Sequence, residues 1–227
     1  RKVQSPVRTG YKAYIATINE WNAAEGKWLT DLDETLYPYD KDPKNGSAVN
    51  CSVTNIQDDI VYYVIYIPQE VNFHVSRYQQ NIYDDLYTFV DSETMSAKVG
   101  TIITNESDIK EAFEGFSILQ YNDATVAADG STLVEIFYDR EYHLMNFQLD
   151  GGYGVEPVYA RYGTEFRLNT PTKPGYTFNG WVASHDGLTA EQITMADSMA
   201  AALKRGEMVS VPSFDIVFNA TWTTGNT

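Results

Sequence analysis

Three histidines, one cysteine and 31 carboxylates are the groups with most chemistry to offer in this 227-residue chain. A zinc centre needs several of them at ligand spacing. His74, His143 and His185 lie far apart, and no His/Cys cluster forms, so no metal site is expected from them. Cys51 stands alone, which excludes an intrachain disulfide, and it has no evident catalytic base. Ser117 and the other serines sit in no G-x-S-x-G elbow. Residues 40–46 (DKDPKNG) place oxygen ligands ahead of a glycine. That glycine comes one position late for an EF-hand, and Cys51 falls where the closing Glu belongs, so the segment reads as a solvated turn. The acidic groups Asp31/Asp33/Glu34, Asp58/Asp59 and Asp84/Asp85 read as solvated edge charges that keep strands from pairing between molecules. Spacing does not exclude a carboxylate pair for glycoside hydrolysis, because its separation is a distance in space, but nothing singles one out. What remains is flat aromatic surface. Trp21 and Trp28 flank one predicted hairpin with Tyr37 and Tyr39 just beyond, and such rings either stack on sugars or fill a core.

Strands must position these residues. Residues 11–21 (YKAYIATINEW) and 27–32 (KWLTDL) read as a hairpin around a five-residue loop, followed by a long loop over 33–50. The apolar run 60–67 (IVYYVIYI) reads as a strand buried on both faces. Val71, Phe73 and Val75 alternate with Asn72, His74 and Ser76, which predicts a second strand over 71–80, with 87–95 as its hairpin partner. Residues 105–112 suggest a short helix capped by Asn105. Residues 133–138 and 143–149 are further strands, the latter closed by Asp150-Gly151-Gly152, where glycine supplies positive φ.

One segment breaks the β pattern. Thr189 and Gln192 stand at capping-box spacing, Ile193, Ala196, Met199, Ala200 and Leu203 share one face, and Gly206 supplies a stop. An amphipathic helix packed on a sheet is expected over 189–203, with Lys204 and Arg205 at its cation-favouring end.

A net charge of −15 argues against nucleic acid or an anionic membrane as partner. Aromatics at 14%, including 17 tyrosines, supply material for cores and argue against wholesale disorder. No apolar run approaches the ~18 residues of a membrane span. The chain opens on Arg1, which points to an excised or mature segment whose export signal or anchor lies elsewhere.

Internal repetition is the most informative pattern. Ala97-Lys98-Val99-Gly100-Thr101 matches Ala160-Arg161-Tyr162-Gly163-Thr164, and Phe113-Glu114-Gly115-Phe116 matches Lys173-Pro174-Gly175-Tyr176. Pro6-Val7-Arg8-Thr9-Gly10-Tyr11 parallels residues 171–176, and 59–66 (DIVYYVIY) parallels 215–222 (DIVFNATW). A glycine followed by an aromatic permits a kink or close backbone approach and then plugs the core.

On these residues the stretch 143–222 resembles the Listeria–Bacteroides repeat, the B repeat of internalin B-like surface proteins. Asp150-Gly151-Gly152, Tyr162-Gly163, the run PTKPGYTFNGW at 171–181, and Ala220-Thr221-Trp222 carry the likeness. The predicted helix departs from it, since family members usually have a short hairpin there. Residues 71–140 resemble the ubiquitin-like, mucin-binding-protein-related repeat, through Tyr78-Gln79-Gln80-Asn81, Glu114-Gly115-Phe116 and Tyr138-Asp139-Arg140. Residues 1–68 resemble only the second half of a B repeat. The resemblance implies a β-rich α+β fold of tandem ubiquitin-like (β-grasp) modules in an elongated array. The modules would be 1–68, a partial or diverged repeat; 69–141; and 142–227, with the helix inserted near 189–205. It also implies a non-enzymatic segment of a longer chain, monomeric, on the cell wall or surface of a Gram-positive bacterium. Such a segment would act as a stalk and in adhesion to a host protein or glycan, with Trp21, Trp28, Tyr37 and Tyr39 as candidate contacts. No cofactor, nucleic acid or membrane insertion is expected. The rival expectation is a set of carbohydrate-binding modules accessory to a secreted hydrolase.

Overall fold

A computed structural model of the chain describes residues 1–17, 45–104, 109–118 and 123–225. The predicted hairpin partner 27–32 lies outside them, as do Trp21, Trp28, Tyr37, Tyr39, Asp31, Asp33, Glu34 and residues 40–44 of the acidic turn.

The N-terminal segment contains β1 (Lys2–Gln4), β2 (Tyr11–Thr17), β3 (Asn50–Ser52) and β4 (Tyr62–Pro68). Two antiparallel ladders result: β1 with β3, and β2 with β4, the latter running from Tyr11 opposite Pro68 to Thr17 opposite Tyr62. Ala13, Ile15, Val49, Cys51 and Val53 form the core between them. The apolar run 60–67 is not buried on both faces. Ile60 and Val61 precede the strand and are 45% and 60% exposed, and only Ile65 is buried. Among the described residues β2 is the only neighbour of β4, so its other edge gains no cover.

The middle segment contributes β5 (Glu70–Gln80), β6 (Tyr87–Lys98), β7 (Ile102–Ile103), β8 (Phe116–Ile118), β9 (Ala124–Thr125) and β10 (Leu133–Arg140). β5 and β6 are neighbours, as alternation predicts, in a sheet of order β6-β5-β10-β8, and β7 pairs with β9. Phe73 and Val75 point inward while Asn72 and His74 are exposed. Of the expected helix over 105–112, residues 105–108 lie outside the described set. Residues 109–112 form no helix; Ile109 is instead a buried apolar anchor in irregular chain.

The C-terminal segment holds β11 (Tyr142–Gln148), β12 (Val158–Arg161), β13 (Glu165–Phe166), β14 (Tyr176–Ala183), helix α1 (Ala190–Lys204), β15 (Val209–Ser210) and β16 (Ile216–Thr224). Its sheet runs β12-β11-β16-β14, with β11 and β16 parallel at the centre. Both four-stranded sheets therefore follow one order: second, first, fourth, third. α1 begins as its sequence predicts. The Thr189 hydroxyl accepts from the Gln192 amide at 3.2 Å and the Gln192 side chain accepts from the Thr189 amide at 3.0 Å. Ala196, Met199, Ala200 and Leu203 are buried on one face, joining Met145, Trp181 and Phe218 in the core. Gly206, at φ 72°, ends the helix. After β11, positive φ falls on Asp150 (48°) as well as Gly151 (85°), and the Gly152 amide closes this turn on the Leu149 carbonyl at 3.0 Å.

Contacts divide the described chain into two compact units. One comprises Arg1–Ser76, Asp91–Ile109 and Gln120–Ile136; the other comprises Arg77–Val90, Lys110–Leu119 and Phe137–Thr227. No helix of the described residues is long and apolar enough to cross a membrane.

Candidate functional site

The histidines are scattered into separate roles. His143 bridges Glu141 (2.8 Å) and Asp215 (3.0 Å), His185 meets Asp197 (2.7 Å), and exposed His74 meets the Thr94 hydroxyl (3.2 Å). No group of three or more His, Cys, Asp or Glu among the described residues is arranged to hold a metal. Cys51 is buried in the N-terminal core. Asp84 and Asp85 are not idle edge charges. Asp84 caps its turn, accepting from the Asn81 side chain (2.9 Å) and the Leu86 amide (2.8 Å), and Asp85 pairs with Arg161. Asp139 accepts a hydrogen bond from the Tyr87 hydroxyl, which pushes that phenol up to about 12, so Tyr87 stays neutral.

The repeated motifs build one device twice. In the first unit, the turn 98–101 closes with Thr101 N–H donating to the Lys98 carbonyl at 3.0 Å, and Gly100 N–H donates to the carbonyl of buried Val126 at 2.9 Å. Val126 N–H donates back to the Thr101 carbonyl at 2.9 Å. In the second unit, Thr164, Arg161, Gly163 and Val211 make the same three bonds at 2.9, 2.8 and 2.9 Å. The second residue of each turn, Val99 or Tyr162, then makes a joint. Val99 N–H donates to the Gln69 carbonyl (3.0 Å), and Gln69 N–H donates to the Gly10 carbonyl (2.8 Å). Tyr162 N–H donates to the Glu141 carbonyl (2.7 Å), and Glu141 N–H donates to the Gly115 carbonyl (2.9 Å). Gln69 and Glu141 are the single residues between β4 and β5 and between β10 and β11.

Glycine is required at both joints for space as well as for φ. A Cβ on Gly10 (φ 85°) would lie 2.7 Å from Val99 and Ala128 side-chain atoms, and one on Gly115 (φ 78°) 2.3 Å from the Tyr162 ring. The second joint is reinforced by arginines. Arg140 donates to the carbonyls of Gln80 (2.7 Å) and Tyr162 (2.8 Å) and lies over the Phe116 ring at 4.8 Å. Burial pulls its pKa below the ordinary arginine value. Arg161 donates to the Asp84 carbonyl (2.6 Å) and pairs with Asp85, a bond that raises its pKa. The repeated A-K-V-G-T and A-R-Y-G-T runs were visible in the sequence. That their third residue seats against a distant glycine was not, because the contact joins residues 47 or more positions apart.

The remaining motif residues converge in the C-terminal segment. Lys173 donates to the Asp150 carbonyl (2.7 Å) and lies over Tyr176 (4.4 Å) and Trp222 (5.8 Å). The Trp222 indole N–H donates to the Leu149 carbonyl (3.0 Å), and a Cβ on Gly152 would strike the Trp222 ring at 2.5 Å. Trp181 is buried, whereas Trp222 is only half-buried. Asp-Gly-Gly, Thr-Lys-Pro-Gly-Tyr and the closing Trp are thus parts of one contact set. Residues 143–202 match the Listeria-Bacteroides repeat domain. That repeat is typical of bacterial surface or extracellular proteins. A search of curated proteins finds no match to the chain.

Proposed function

We propose that this chain is a non-catalytic segment of a bacterial cell-surface protein, in which tandem repeats act as a spacer and hold an adhesive region away from the cell wall. The carrying observation is the joint made twice with the same backbone bonds and a one-residue connector, an arrangement suited to tandem modules. On this reading the modules are 1–68, 69–141 and 142–227. The first is a partial repeat, the second is of the mucin-binding-like kind and the third is an internalin-type B repeat. All three are β-grasp in kind. The order second-first-fourth-third in both four-stranded sheets, with parallel central strands in the C-terminal one, supports the β-grasp assignment. The charge of −15 keeps neighbouring chains apart on a crowded surface. The functional residues are then the joint residues, and a host protein or glycan is met elsewhere or through the aromatic residues near 21–39. Small-angle scattering of the 227-residue chain tests the spacer: an extended particle is expected, and the profile of a sphere overturns it. Turnover of any substrate on a polysaccharide and peptide panel overturns the non-catalytic assignment.

A further inference from the structure

Three Gly-aromatic turns in this chain have one geometry. The aromatic N–H donates to the residue three before it at 3.2 Å (Tyr11 to Arg8), 3.1 Å (Phe116 to Phe113) and 3.0 Å (Tyr176 to Lys173). Their glycines have φ of 85°, 78° and 79°. Each glycine carbonyl accepts from the residue that follows its ladder: Gln69 at 2.8 Å, Glu141 at 2.9 Å and Gly225 at 2.9 Å. In the first two cases the carbonyl of that following residue takes the amide of Val99 or Tyr162, and the glycine is buried beneath the same residue's side chain. The third case is half a joint. Gly175 is exposed, a Cβ there would meet nothing within 4 Å, and Tyr176 is 48% exposed. Among the described residues the Gly225 carbonyl receives no such amide.

We infer that the Gly175–Gly225 end of the C-terminal ladder is a docking socket for a further repeat of the same kind, carried by the residues that directly follow it. That repeat would present a turn of the 98–101 or 161–164 type, whose second residue is apolar or aromatic. Its amide would bond the Gly225 carbonyl and its side chain would cover Gly175. The occupant is assigned in cis because in both filled joints the docked turn belongs to the segment that starts immediately after the connecting residue. The polar backbone of the connector is then satisfied without water, which favours a fixed joint over a loose one.

The inference goes beyond the spacer reading, since a flexible string of repeats would also space. The test uses residues 1–225 followed directly by a second copy of residues 142–225, so that Gly225 takes the place of Glu141. Hydrogen exchange is read at the amide of the copied Tyr162. At least ~10-fold slower exchange than an unprotected amide is expected, with Gly175→Ala removing that protection by inserting a methyl under the docked ring. The original Tyr162 and the amides of the copied β11 should keep their protection, which shows that both repeats stay folded. Exchange of the copied amide at the unprotected rate, or protection indifferent to Gly175→Ala, overturns the socket and leaves the spacer reading standing. Protection of the Gly175 region that arises in the unextended chain only as its concentration rises would make a second chain the occupant and also overturn the inference.

Discussion

Residues 1–68 and 163–225 carry the same ladders in different company. β1 with β3 corresponds to β13 with β15, and β2 with β4 corresponds to β14 with β16, all antiparallel. Val53 N–H donates to the Arg1 carbonyl at 2.8 Å, as Val211 does to Thr164. Arg8 lies over Tyr11 (4.1 Å) and Tyr66 (5.5 Å), as Lys173 does over Tyr176 and Trp222. The C-terminal copy adds β11 and β12, which have no counterpart among the described residues of the N-terminal one. The effect is local and large. Ile216, opposite Met145 of β11, is 2% exposed; Ile60, at the matching position, is 45% exposed. A β-ladder and its turn are thus encoded locally, whereas burial of the same side chains depends on a neighbouring strand.

Truncating the matched core positions should give the largest contrast. Phe218→Ala, at a fully buried ring, is expected to cost about 3–5 kcal/mol in denaturant unfolding, against about 1–2 for half-buried Tyr62→Ala. Equal costs would break the comparison.

The three joint glycines sharpen it next. Gly115→Ala and Gly175→Ala place an alanine at nearly the same φ, so left-handed strain of about 1–2 kcal/mol is common to both. Only Gly115→Ala drives a methyl into Tyr162, adding about 1–3 kcal/mol of overpacking. The difference in unfolding free energy between the two variants measures the joint alone.

Asp215 and Asp59 form a third matched pair. Asp215 accepts from the Leu144 amide at 2.9 Å and meets His143, and the Leu144 bond in particular pulls its carboxyl below the usual aspartate range. Asp59 is exposed, and among the described residues no equivalent strand lies beside it to hold. Asp215→Ala should cost about 1 kcal/mol and Asp59→Ala less than about 0.5, read from denaturation midpoints at pH 7. Because the folded carboxyl has the lower pKa, its stabilisation is fully present above the ordinary aspartate value and is lost as pH falls through the folded one. Asp215→Ala should therefore flatten the acid limb of the stability profile.

Small effects also belong to the two cations. Arg8→Ala should cost about 0.5 kcal/mol, as an exposed cation–π contact does, and Lys173→Ala somewhat more, because Lys173 is half-buried and its removal also loses the bond to the Asp150 carbonyl.

What the sequence revealed follows from range. Thr189, Gln192 and Gly206 act within one turn of their own helix, and the Gly-aromatic turns close within four residues, so both were legible from spacing. The composition of 60–67 reports an apolar strand but not whether a second strand lies beside it. Asp85 reads as surface charge and Arg161 only as a repeat letter, because their pairing spans 76 residues. The aromatic candidates Trp21, Trp28, Tyr37 and Tyr39 lie outside the described residues.

The parallel pairing of β11 and β16 has a mechanical corollary. β11 begins immediately after Glu141 and β16 ends immediately before Gly225, so a pull transmitted along the polypeptide drags the two central strands lengthwise past each other. Their rungs from Met145–Ile216 to Gln148–Asn219 are then loaded together instead of being peeled one at a time.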